Sequence, residues 1–105
     1  MKRNVYDIAL YSPMGPKKGT LTIFNENDMY SADIYLMRHL NHFAVTFTSP
    51  GEYSLSGELK TLVGNVACKI NVKSINGILS AVADTAKGVM KMEGHLIEAG
   101  EGEGT

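Results

Sequence analysis

A chain of 105 residues with 44% apolar content is sized for one globular domain with a real core. Its formal net charge of −1, from ten Lys+Arg against eleven Asp+Glu, excludes the basic excess of a nucleic-acid binder. The lone cysteine, Cys68, cannot form an internal disulfide, which fits a reducing compartment.

The opening MKRNVYDIAL carries two basic residues, but Asp7 interrupts any apolar stretch, so no signal peptide is expected. No segment reaches the length of a membrane-spanning helix, and a cytoplasmic protein without a membrane partner is the expectation. The first strand-like run alternates Tyr6, Ile8 and Leu10; PMGPKKG turns the chain, and Leu21 and Ile23 begin a second run. After NEND, the alternation returns as Tyr30, Ala32, Ile34 and Leu36, and then as Phe43, Val45 and Phe47. SPGE leads to Leu55, Gly57 and Leu59; VGN leads to Val66, Cys68, Ile70 and Val72. An Asn76-Gly77 hairpin signal leads to Leu79, Ala81 and Ala83, and AKG to Met90, Met92 and Leu96. The closing EAGEGEGT has nothing to bury; the domain is expected over 1–98 and a disordered acidic tail over 99–105.

These runs form a repeat. LSGELKTLVG (55–64) matches LSAVADTAKG (79–88) at Leu, Ser, Thr and Gly. YDIALYSPMG (6–15) falls into the same register, with Ser12 over Thr61 and Gly15 over Gly64, and YSADIYL (30–36) shares the pattern. Four units therefore begin near residues 6, 30, 55 and 79. YSADIYLMRHLNHF and GILSAVADTAKGVM could each be read as amphipathic helices, since Met29, Ala32, Leu36 and Leu40 keep helical spacing. The matching unit at 55–64 contains SGE and LVGN, which a helix tolerates poorly, and repeats should share one structure. Four hairpins give eight antiparallel strands, and short sequential connections favour an all-β up-and-down barrel. Small residues at one repeat position (Ala32, Gly57, Ala81) would relieve crowding inside it or mark bends.

Gly19-Thr20-Leu21, the Leu-Ser-Gly/Ala steps, Asn41-His42-Phe43 and Met92-Glu93-Gly94 resemble the strand and turn motifs of small bacterial calycin-like barrel proteins. The resemblance covers about residues 5–97 and implies the fold rather than an activity. Lipocalins and streptavidin are similar in architecture, and none of their ligand-binding residues carries over.

Alternating hairpins sort the loops between two ends. The turns inside units bring Lys17, Lys18, Arg38, His39 and Lys87 to one end, with Lys60 beside them and no carboxylate unless Asp84 reaches it. Glu26, Asp28 and Glu52 mark the other, with Lys73 as the exception. A basic rim over an apolar interior points to a small, partly apolar anion such as a fatty acid or other organic acid. A barrel filled by Phe43, Phe47, Met90 and Met92 is the competing expectation. Tyr6, Tyr30 and Tyr53 fall on the interior side, where their phenols need partners and could bond a ligand.

His39 and His42 form an HxxH pair, but His95 and Asp33 supply no further ligand spacing, so no metal is expected. GPKKGT (15–20) is followed by TLTIF rather than a helix, so it is no nucleotide cradle, and no cofactor is expected. Cys68 points inward as a small hydrophobe. No Ser-His-Asp order has a nucleophile-elbow context, and Glu26 with Asp28 reads as a solvated turn. Tyr11, Tyr35 and Phe24 fall outward and, with Val5 and Ala9, could form a patch that pairs two copies. The candidate ligand set is Tyr6, Tyr30, Tyr53, Lys17, Lys18, Arg38, His42 and Lys87. The alternatives are an isomerase- or cyclase-type enzyme using Tyr6, Tyr53 or His42 at the mouth, and an interaction module with a filled core.

Overall fold

A computed structural model describes residues 2–61 and 64–101. Eight antiparallel strands run β1 (Lys2–Ser12), β2 (Gly15–Glu26), β3 (Met29–Leu36), β4 (His39–Ser49), β5 (Glu52–Thr61), β6 (Gly64–Ile75), β7 (Ile78–Thr85) and β8 (Gly88–Glu101). Each pairs with its sequence neighbours, and β1 pairs with β8 to close the barrel. The expected fold and its four hairpins are therefore present, and both segments with helical spacing are strands. Of the expected tail, β8 carries the chain to Glu101, and 102–105 lie outside the described residues. No helix among the described residues is long and apolar enough to cross a membrane.

The repeat has a stereochemical basis in its turns. Ser12, Thr61 and Thr85 each donate a 2.7 Å hydroxyl hydrogen bond to the carbonyl of the glycine three residues on, Gly15, Gly64 and Gly88. These glycines adopt φ of 105°, 111° and 118°, a region that a β-carbon disfavours. Ser/Thr-x-x-Gly thus closes three of the four turns inside units. The fourth is a two-residue turn with Met37 at φ 52° and Arg38 at φ 65°. Asn27-Asp28 and Asn76-Gly77 adopt the same left-handed pair between units, with residue types suited to it.

The barrel is filled at its waist. Leu21, Ile34, Leu55, Ile70, Leu79 and Met92 are fully buried, each contributing about 1.5–3 kcal/mol of transfer free energy. Gly57 makes room there: a β-carbon on it would stand 2.9 Å from the Phe43 ring. Phe43 and Met92 belong to this filling, whereas Phe47 is 44% exposed.

Pairing around β4 is staggered. It pairs with β3 over His39–Ala44 but with β5 only from Phe43 to Ser49. Asn41, 3% exposed, fills the gap. Its Nδ2 donates to the Ile34 and His39 carbonyls at 3.1 Å each, and its Oδ1 accepts from the Lys60 amide at 3.0 Å. A buried side-chain amide thereby replaces ladder bonds where the two strands separate, beside the turns that carry the cations.

Candidate functional site

The filled waist divides the interior into two cups. The larger, about 650 Å³, lies at the end built from the turns inside units. Leu10, Met37, Leu59, Val66 and Met90 form its apolar wall, and Pro13 and Met14 its edge. Lys17, Arg38 and Lys87 line it too, one from each of three hairpins, and no carboxylate lines it among the described residues. Asp84 faces outward, paired with Val89 and Lys69.

The cup's hydroxyls are already committed. Ser12 donates to Gly15 and accepts from the Met14 amide at 3.3 Å. Thr85 donates to Gly88 and accepts from the Lys87 amide at 3.0 Å. A hydroxyl has one hydrogen to give, so Ser12, Thr61 and Thr85 have none left for a guest. The side-chain donors that remain are Lys17, Arg38 and Lys87, none in an ion pair among the described residues. An apolar wall with only cationic donors can hold an apolar body and an anionic group, and it gives a cation no acceptor of opposite charge.

The smaller cup, about 230 Å³, opens at the opposite end and is lined by Lys2, Arg3, Asn4, Ile23, Asn25, Tyr30, Tyr53 and Gly100. Tyr30 stacks on Phe47 at 5.3 Å between centroids, and Tyr53 meets Phe47 edge-on at 5.9 Å. Asn25 Nδ2 donates to the Tyr30 hydroxyl at 3.2 Å. Arg3 pairs with Glu98 at 2.5 Å.

The eight candidate ligand residues are thus not brought together. Lys17, Arg38 and Lys87 share the large cup; Tyr30 and Tyr53 share the small one. Tyr6 is buried, its hydroxyl 2.8 Å from Ser74 Oγ. Lys18 follows inward Lys17 and points outward. His42 also points outward, its side chain 78% exposed and its Nδ1 2.5 Å from Asp33 Oδ1. Neither cup brings Tyr6, Tyr53 and His42 together. Tyr11 and Tyr35 stand exposed on the outer wall.

Met37, Leu59 and Met90 are lining residues that sequence reasoning did not single out for the site. The signal for Met37 was a two-residue turn lacking Asn and Gly. Cys68 is buried below the large cup, and burial, then the charge of Asp84, raises its thiol pKa to about 11. No cluster of three metal-ligating side chains occurs among the described residues.

Comparison of the chain with protein-family models, curated proteins and solved structures finds no match. The closed eight-stranded antiparallel barrel is consistent with a calycin-like architecture.

Proposed function

We propose that the protein binds a small amphipathic anion in the large cup. The apolar body lies on Leu10, Met37, Leu59 and Met90, and Lys17, Arg38 and Lys87 receive the head. One observation carries this reading: a cavity of about 650 Å³, in the size range of small-molecule sites, whose free side-chain donors are all cations.

Decanoate titrated calorimetrically into the full chain tests it. Saturable binding is expected, weakening with salt. Replacing Lys17, Arg38 and Lys87 together by Ala should weaken it by roughly ten- to a hundredfold, from partly exposed charge pairs of up to about 1 kcal/mol each. Lys18→Ala, on the outer wall, should leave affinity unchanged. Full affinity in the triple variant, or equal binding of decylamine, overturns the reading.

A further inference from the structure

The small cup is a binding site in its own right. We infer that it takes a single planar aromatic ring bearing a carboxylate, independently of the large cup. At about 230 Å³ it lies below the range of drug-sized pockets but has room for one ring. Aromatic side chains supply the ring surface: Tyr30 and Tyr53 line the cup, with centroids 5.7 Å apart and planes tilted by 50°. Offset or edge-on aromatic packing is the geometry such rings offer a guest.

The polar groups select the anion. Tyr30 already accepts from Asn25, so its hydroxyl hydrogen is available to donate. Tyr53 makes no hydrogen bond to a described residue, and its ring lines the cup. Its phenol pKa is raised, first by burial and then by Tyr30 and Tyr6, so it stays protonated as a donor at neutral pH. Lys2 lines the same cup without an ion pair among the described residues. Arg3 is held by Glu98, and no carboxylate lines the cup among the described residues. Two phenol donors and an ammonium beside ring faces match an aromatic carboxylate better than a neutral alicyclic guest. The filled waist separates this guest from anything in the large cup.

The probe is benzoate, titrated into the full chain and followed by NMR at the Tyr30 and Tyr53 rings. Benzoate is itself an anion, so the titration is repeated in the Lys17→Ala, Arg38→Ala, Lys87→Ala variant, where the large cup has lost its cations. Saturating shifts at both rings are expected in both backgrounds. Tyr53→Phe should weaken binding about tenfold, the cost of one hydrogen bond to a charged group. Cyclohexanecarboxylate should bind several-fold more weakly because it lacks the planar ring. No saturation by about 10 mM, the weak limit for a ligand of this size, overturns the inference. So does loss of the ring shifts in the triple variant, or equal binding of cyclohexanecarboxylate.

Discussion

The two mouths of this barrel share eight strands and differ in nearly everything else. At the basic mouth, the turns and the cavity wall carry the same sign of charge, because Arg38 and Lys87 sit in the turns that frame the cup. At the other mouth they diverge. Glu26, Asp28 and Glu52 lie in or beside the turns there, while the cup is lined by Lys2, Arg3 and two tyrosines. Loop charge is therefore a guide to a barrel's binding preference only where the loop side chains also face the lumen. Strand parity decides that: Lys17 faces in and lines a cavity, while Lys18, its neighbour, belongs to the outer surface.

The mouths also differ in how their edges are closed. Around the tyrosine mouth, backbone bonds such as Ser74 N to the Gly51 carbonyl and Leu96 N to the Gly77 carbonyl, both 2.7 Å, fasten neighbouring hairpins. At the basic mouth one side chain, Asn41, bridges the β4–β5 gap. Asn41→Ala should break this contrast most sharply. It leaves the Lys60 amide and the Ile34 carbonyl without their partner, a cost of about 2–3 kcal/mol in denaturant unfolding. Hydrogen exchange should accelerate at Lys60 by more than the lowered global stability accelerates it at Ser74 and Leu96. Uniform acceleration at all three amides would show that Asn41 supports the whole barrel rather than one mouth.

A smaller effect is expected from the turn that departs from the repeat. Met37 and Arg38 occupy left-handed backbone at φ 52° and 65°, where residues other than Gly and Asn pay about 1 kcal/mol each. Both side chains line the large cup, so strain and lining coincide in one turn. Arg38→Gly restores a residue type that this turn prefers and should stabilise the fold by about 1 kcal/mol, whereas in Met37→Asn the same relief is offset by lost apolar packing against the core. Arg38→Gly should also weaken decanoate binding severalfold, since it removes a cation; the Met37 change removes only apolar wall. Stabilisation without any loss of affinity in Arg38→Gly would separate the strain from the site.

Much of this was legible in the chain. The Ser/Thr-x-x-Gly matches reflect a specific hydroxyl–carbonyl bond and a left-handed glycine, so they recur wherever that turn recurs. Two-residue alternation placed Tyr6, Ile8, Leu10, Ile70 and Val72 in the core. The grouping of tyrosines with lysines was not supported by the same logic carried one step further. Tyr30 and Tyr53 are the second residues of β3 and β5, so both stand at the end opposite Lys17, Arg38 and Lys87. Likewise, inward Phe43 fixes His42 outward by parity. The presence of two cups around a filled waist had no sequence signal. It depends on which side chains meet across the lumen, and alternation reports only that they point there.

A titration distinguishes the halves of the barrel, with no effect expected below pH 9. Cys68 lies below the basic mouth with its thiol pKa raised from 9.0 to about 11, and Tyr53 lines the other mouth with its phenol pKa raised from 10.0. Each group is neutral when protonated, and burial favours that form in the folded state. Between pH 9 and about 11 the unfolded chain has released the Cys68 proton while the folded chain retains it. The unfolded state then binds fewer protons, so stability is full below pH 9 and falls as pH rises through this window. Tyr53 adds a loss of the same sign above pH 10. Cys68→Ala should flatten the decline from pH 9 upward, and Tyr53→Phe should flatten only its part above pH 10. The pair thus reports on the two halves separately. If Cys68→Ala leaves the slope between pH 9 and 10 unchanged, the thiol is as well solvated in the folded chain as in the unfolded one, and the packing below the basic cup is looser than its burial implies.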